Sequence, residues 1–128
     1  MDTTKQYILM CEKAKEIQEL PMKKNGNFYV DFMGDIQIYM EKDNDWDWQK
    51  NKEIYLPRQD QLQEMVKDSL DRKLTKFCVF SMNNLKATPM MDRPNIKFDT
   101  MEQLWLAFVM KKKYNKVWNG TDWEKEIK

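Results

Sequence analysis

Apolar residues recur at three- and four-residue steps from residue 4 to residue 20, which predicts a first helix. The positions that would share its apolar face are Tyr7, Met10, Cys11, Ala14 and Ile17. Thr3 and Gln6 have the spacing of a capping box at its start. Pro21 cannot continue the helical hydrogen bonds, so we expect the helix to end at about Leu20.

Alternation replaces the helical period over residues 28–41 and predicts a β-hairpin. One face would consist of Phe28, Val30, Phe32, Ile36, Ile38 and Met40. A three-residue loop, Met33 to Asp35, would pair Val30 with Ile38 and keep that face apolar. It would also place Asp35 where such loops usually have glycine, so the turn type stays open. Residues 53–56 predict a short third strand that Pro57 ends.

The helical period returns twice in the second half of the chain. Residues 60–82 predict one helix or two that share a kink, with a strand over residues 74–81 as the alternative. Residues 100–114 predict a helix that Asp99 or Thr100 caps. This helix is apolar nearly all round, which predicts that it is the most buried one.

The chain ends in a second predicted hairpin, over residues 116–124. Asn119 and Gly120 are typical of a two-residue type I′ turn, which would place Trp118 opposite Thr121. Trp123 would then be the diagonal neighbour of Trp118, close enough for the rings to touch. Together the patterns predict an α+β fold, with a small antiparallel sheet on three or more helices, and a single domain over residues 1–128.

Composition narrows the classes of function. The chain has 41% hydrophobic and 34% charged residues and a net charge of +1, so no global field attracts it to nucleic acid or anionic lipid. Its beginning lacks the basic and then apolar pattern of a secretory signal, and we expect a cytoplasmic protein with no membrane partner. Cys11 and Cys78 are expected to be reduced, buried thiols.

Candidate chemistry is sparse. The chain has no histidine, which argues against imidazole-based catalysis, and its two cysteines cannot build a sulfur-rich zinc site. The run that begins at Asp43 resembles the start of a calcium loop, but Trp48 stands at its sixth position instead of glycine. We therefore expect no enzyme activity, no cofactor and no metal site.

An acidic loop with two tryptophans is the first candidate interaction site, and it suits a protein partner. Its residues are Asp43, Asp45, Trp46, Asp47 and Trp48. The two rings either fold back over the sheet or are displayed to the partner.

A basic and aromatic patch is the alternative site, for single-stranded nucleic acid. Its residues are Lys111, Lys112, Lys113, Lys116, Trp118 and Trp123. The lysines could instead stabilise the negative end of the helix dipole, while the two tryptophans attach the hairpin to the helix.

A polar corner follows Pro57, where the third strand turns into the next helix. Its residues are Arg58, Gln59, Asp60, Gln61 and Gln63. They could form a binding surface, or they could cap and hydrogen-bond the corner itself.

Three stretches carry a resemblance. They are Leu-Pro-Arg-Gln-Asp-Gln-Leu-Gln-Glu-Met at residues 56–65, Glu-Gln-Leu-Trp-Leu-Ala-Phe-Val-Met-Lys at 102–111, and Lys-Val-Trp-Asn-Gly at 116–120 with Trp123 after it. The chain resembles small proteins encoded in bacteriophages and integrated prophages, a resemblance that implies no activity and no catalytic residues. It implies a phage-type accessory protein that acts in the bacterial cytoplasm. As its function we expect binding of a host or phage protein, in a host-directed or counter-defence role. Nucleic-acid binding is the alternative function.

Overall fold

The computed structural model describes residues 1–20, 26–40, 53–85 and 98–125, with the backbone alone for 83–85. The protein is α+β, and the described ranges hold five helices and five short strands. In chain order these are α1 (Lys5–Lys13), α2 (Lys15–Gln18), β1 (Phe28–Val30), β2 (Ile36–Ile38), β3 (Ile54–Leu56), α3 (Gln59–Met65), α4 (Leu70–Leu85), α5 (Met101–Tyr114), β4 (Lys116–Trp118) and β5 (Trp123–Lys125). The chain forms two compact units, residues 1–58 and 59–128, each described by itself. The single-domain assignment stays a prediction.

The predicted first helix is two helices, because the backbone leaves helical geometry at Ala14 with ψ of 78°. The N-cap is Thr4 and not Thr3: its hydroxyl accepts the N–H of Tyr7 at 3.3 Å. The break interrupts the regular bonding of the Cys11 carbonyl, which accepts a hydrogen bond from Nε2 of Gln18 at 2.9 Å. One side chain thus satisfies a backbone group at the break, and the second helix ends at Gln18.

The first unit contains a three-stranded antiparallel sheet of order β2, β1, β3. Val30 lies opposite Ile36, so the predicted pairing of Val30 with Ile38 is wrong by two residues. The loop holds Phe32, Met33 and Gly34, and Gly34 has φ of 87°. Glycine therefore occupies the left-handed position of the loop. In the predicted loop, Asp35 would have occupied that position. A shift of two keeps each side chain on its predicted face.

In the second unit, the helical pattern of residues 60–82, predicted as one helix or as two that share a kink, forms two helices, α3 and α4. Local hydrogen bonds occupy the break: the Asp68 carboxylate accepts the N–H of Ser69 at 2.9 Å and contacts Nζ of Lys76 at 2.7 Å. Such short polar side chains offer the backbone an alternative to the helix. Residues 74–81 lie within α4, so the alternative strand at this position is wrong.

Helix α5 is the centre of the second unit, as its sequence predicts. Every residue from Gln103 to Met110 is buried. Thr100 is the N-cap, and its hydroxyl accepts the N–H of Gln103 at 3.2 Å. The Trp105 ring stacks on Phe77 of α4, with centroids 3.8 Å apart and planes 4° from parallel. This aromatic contact helps to pack α4 on α5.

The C-terminal hairpin forms, but with a longer turn than predicted. Trp118 lies directly opposite Trp123, so the turn comprises residues 119–122 and the predicted pairing with Thr121 is wrong. A type I′ turn needs positive φ at both central residues, and Gly120 has it while Asn119 does not. Instead, Oδ1 of Asn119 accepts the N–H groups of Thr121 and Asp122, both at 2.8 Å.

No helix in the described ranges combines the length and the apolar composition that a membrane span requires.

Candidate protein-interaction site

The acidic loop that the sequence favours lies outside the described residues. Its candidate residues are Asp43, Asp45, Trp46, Asp47 and Trp48. Their assignment to a protein contact stays a prediction.

The basic patch is present at the end of α5, and its three helical lysines are exposed. Each lysine also lies near an aromatic ring of its own unit. Nζ of Lys111 is 5.8 Å from the Phe80 centroid, and Nζ of Lys112 is 6.0 Å from that of Phe108. These distances allow cation–π attraction, which gives the lysines a structural role beside their effect on the helix dipole.

Trp118 and Trp123 are buried, at 4% and 7% exposure. Their rings contact each other, with centroids 5.1 Å apart and a 53° tilt. Strand β4, which contains Trp118, packs against α5. The burial favours attachment of the hairpin to the helix and leaves little ring surface on which a nucleobase could stack.

The residues of the polar corner lie in two places, with Arg58 at the end of the first unit and the others in α3. Nη1 of Arg58 donates to the Gly26 carbonyl at 2.8 Å, which ties the end of the first unit to the start of its hairpin. The other members of the predicted corner lie in α3, where Asp60 is exposed and Gln59, Gln61 and Gln63 are half-buried. Arg58 thus stabilises the first unit, and the choice between a binding surface and capping of the corner stays a prediction.

The cysteines differ in their surroundings. Both are free, Cys11 is buried as expected, and Cys78 is exposed, so its predicted burial is wrong. Burial raises the pKa of the Cys11 thiol well above its ordinary value, which keeps it neutral and unreactive. Within the described ranges, no group of three or more cysteine, aspartate and glutamate side chains is placed to hold a metal ion.

The β1–β2 hairpin displays apolar side chains, four of which the sequence assigned to the apolar sheet face and one, Met33, to the loop. We call these five residues the hairpin surface: Phe32, Met33, Ile36, Ile38 and Met40. Phe32 and Met33, in the turn, are 66% and 71% exposed, and Ile38 is 50% exposed. Several large exposed apolar side chains on one short hairpin are typical of a contact site for another molecule.

The backbone at this edge is also directed outward. In an antiparallel pair, hydrogen-bonded residue pairs alternate with pairs that do not bond. The N–H of Asp31 donates to the Asp35 carbonyl at 2.9 Å, and that of Tyr39 donates to Asn27 at 2.8 Å. In this register Gln37 bonds with Tyr29, whereas the N–H and C=O groups of Ile36 and Ile38 point away from β1.

The opposite edge of the same sheet is closed by a side chain. On β3 the residue whose backbone groups point outward is Tyr55. It lies between Ile54 and Leu56, which are in register with Val30 and Phe28 and form the hydrogen bonds to β1. Its N–H donates to Oε1 of Gln18 at 2.8 Å, and its carbonyl accepts from Nε2 at 3.0 Å. The Gln18 amide therefore supplies the donor and the acceptor that a neighbouring strand would supply.

No protein-family model, curated protein or solved structure matches this chain. Its function therefore has to be argued from the surfaces themselves.

The hairpin is acidic as well as apolar. Residues 26–40 contain Asp31 and Asp35 and neither lysine nor arginine. The Asp31 carboxylate holds the turn, since it accepts the N–H groups of Met33 at 3.0 Å and Asp35 at 2.9 Å. Asp35 is exposed next to the outward-facing Ile36. Strand β2 therefore combines exposed apolar side chains with a negative charge at its turn end.

One sequence signal could have indicated this site. Turns are normally polar, yet Phe32 and Met33 precede the turn glycine. Two large apolar residues at a hairpin turn are hard to bury beneath their own sheet. The pattern thus pointed to a displayed hairpin, which reasoning from strand alternation alone missed.

Proposed function

We propose that this protein acts by binding another protein and that the hairpin surface makes the contact. The observation that carries the proposal is the exposure of five large apolar side chains on one hairpin at the edge of a sheet. Exposed apolar area is costly in water, and covering it would supply binding free energy at about 25 cal/mol per Å² before the costs of association.

The biological setting rests on the resemblance to phage and prophage proteins. In that setting the protein is an accessory factor in the bacterial cytoplasm, and its partner is a host or phage protein. A host-directed or counter-defence role suits a small protein whose working part is a recognition surface. No catalytic step is part of the proposal.

The test compares two double variants in affinity capture from a lysate of the bacterial host. Phe32→Ser with Ile38→Thr removes apolar area from the hairpin surface. Leu70→Gln with Met82→Gln does the same on α4, where these side chains are 70% and 54% exposed. All four positions are exposed, so both proteins should keep the melting temperature of the wild type. We expect the hairpin variant to lose capture of a specific protein by about tenfold or more, and the α4 variant to retain it.

Equal capture by the wild type and the hairpin variant would remove the hairpin surface as the contact. Loss of capture in the α4 variant alone would transfer the proposal to α4. A large fall in melting temperature of the hairpin variant would show that its side chains support the fold.

Nucleic-acid binding is the second candidate, favoured by the lysines at one end of the second unit. Lys116 lies directly opposite Lys125 in the terminal hairpin, which places two positive charges side by side. The unit has thirteen lysines and arginines against ten aspartates and glutamates. Since Trp118 and Trp123 are buried, contacts would be to phosphates.

A gel-shift assay with single-stranded DNA at low salt tests this candidate. Binding through phosphates should weaken steeply as salt rises, and it should disappear when Lys111, Lys112 and Lys113 are replaced by glutamate. No shift at low salt with the wild-type protein would remove the candidate.

A further inference from the structure

Resting on the proposed function, we propose that the outer edge of β2 binds an extended segment of the partner protein as an added strand. The segment has apolar side chains at alternate positions and a lysine or arginine at the end that lies beside Asp35. The structure contributes the backbone groups, the apolar side chains and the charge that this ligand requires.

The backbone groups come first. The N–H and C=O groups of Ile36 and Ile38 point out of the sheet, and a strand alongside them can form four main-chain hydrogen bonds. Sheet edges in proteins are commonly protected by lysine, proline or a bulge, and the sequence Ile-Gln-Ile of β2 has no such residue. Gln18 bonds the outward groups at the β3 edge, and within the described ranges no side chain does the same at the β2 edge.

The side chains define the pattern of the segment. Ile36 and Ile38 project on one face, at 37% and 50% exposure, and Gln37 projects on the other. Residues of an added strand that stand opposite Ile36 and Ile38 would project on the same face. Apolar residues at these alternate positions would cover the isoleucines, and the position between them would stand beside Gln37.

The charge distinguishes a partner segment from a second copy of this chain. Residues 26–40 carry two aspartates and no basic residue, so the same stretch of a second copy paired at β2 would bring no positive charge to Asp35. A segment with a lysine or arginine near Asp35 would gain attraction at the same place. The shortness of β2, three residues, further limits self-association.

Amide hydrogen exchange of the intact protein tests the inference. The probe is a seven-residue peptide in which valine alternates with threonine between two terminal lysines, added to about 1 mM. In the free protein the Gln37 amide should exchange slowly, because it bonds within the sheet, and those of Ile36 and Ile38 should exchange rapidly. With the peptide, the Ile36 and Ile38 amides should exchange about tenfold more slowly, while the Gln37 amide changes little.

Charge reversal provides the matched control. A peptide with terminal glutamates should protect Ile36 and Ile38 less than the lysine peptide does. The substitution Asp35→Lys should reverse the order of the two peptides, and this reversal should fade as salt rises. An order that stays the same in Asp35→Lys would overturn the charge assignment.

A proline pair separates backbone bonding from side-chain contact. Ile38→Pro removes an outward N–H and should leave the sheet intact, since edge strands accept proline where the N–H faces solvent. Gln37→Pro removes an inward N–H and should unfold the hairpin. Ile38→Pro should abolish protection of the Ile36 amide by the peptide, whereas Ile38→Val should retain it. The exchange result on the unmodified protein is decisive even if Ile38→Pro does not fold.

Unchanged exchange of both isoleucine amides at the highest peptide concentration would overturn strand addition. Protection without peptide that increases with protein concentration would identify a second copy as the occupant, which also overturns the assignment. Hairpin-dependent capture from lysate with no amide protection would leave protein binding in place and remove strand addition alone. Equal capture by the wild type and by the hairpin variant would instead show that the hairpin surface is not the contact.

Discussion

The two edges of the three-stranded sheet differ in how their outward backbone groups are hydrogen-bonded. At β3, the outward N–H and C=O groups of Tyr55 are hydrogen-bonded by the Gln18 amide, and Leu56 is fully buried. At β2, the outward groups belong to Ile36 and Ile38, whose side chains are exposed. One side chain is enough to bond the outward groups of a short edge, and among the residues that the structure describes this occurs at β3 and not at β2.

The largest expected contrast comes from two residues that flank Phe28. Phe28 lies opposite Leu56 on one side and opposite Ile38 on the other. Leu56→Ala should lower the free energy of unfolding by about 3 kcal/mol, because it leaves a cavity at a site with no solvent exposure. Ile38→Ala should lower it by about 1 kcal/mol or less. Urea unfolding of both variants measures the difference, and equal losses would mean that the two edges are equally packed.

The second prediction opens the closed edge. Gln18→Leu removes three hydrogen bonds, two to Tyr55 and one to the Cys11 carbonyl. Since Tyr55 is 5% exposed, water can replace them only in part, and we expect a loss of about 2 kcal/mol in the free energy of unfolding.

Gln18→Glu sharpens that result, because the carboxylate can still accept the Tyr55 N–H but cannot donate to either carbonyl. Its loss in urea unfolding should be comparable to or larger than that of Gln18→Leu, since a carboxylate would then face two carbonyl oxygens. Wild-type stability in Gln18→Leu would contradict the strand-like role of the amide.

The smallest expected effect concerns the turn that displays the open edge. Gly34 has φ of 87° and open space where a Cβ would lie, so Gly34→Ala would introduce backbone strain without a steric clash. We expect a loss of about 1 kcal/mol in thermal unfolding, and a smaller loss for Gly34→Asn, because asparagine tolerates this conformation better. Equal stability of the alanine variant and the wild type would indicate that the turn adopts another conformation.

Sequence patterns predicted the faces of the strands better than their registers. Alternation fixes which residues share a face, and both Val30 and Ile36 lie where it placed them. The register depends on where the left-handed turn residue falls, and in the structure that residue is Gly34. In the terminal hairpin, side-chain hydrogen bonds from Asn119 set a longer turn than the Asn-Gly pair implied.

Helix existence was predictable, and the position of each helix interruption was not. The eight buried residues of α5 follow from its apolar composition. The break at Ala14 has no local signal in the sequence. The Gln18 side chain that bonds the Cys11 carbonyl is also held by Tyr55 of β3, and Tyr55 is 37 residues from Gln18 in sequence. The break between α3 and α4 contains Asp68 and Ser69, a local signal that the apolar period concealed.

The site was the least predictable part. A periodic pattern shows which face of a strand is apolar, and coverage of that face is decided by distant elements. The exposure of Ile38 and Met40 therefore could not be obtained from alternation, even though the residues were assigned to the right face. The tryptophans of the basic patch differ in the opposite sense. They were considered as exposed rings on which nucleobases could stack, and they are buried.

Strand β2 spans only three residues, about 10 Å at the usual rise per residue. So short a tract limits how long any associated molecule stays attached, because few main-chain bonds must break for it to leave. Its lifetime on the protein would be set chiefly by how well its side chains cover Phe32 and Ile38. Under the proposed strand addition, the residence time of the segment would thus be short and would depend on one or two of its apolar positions.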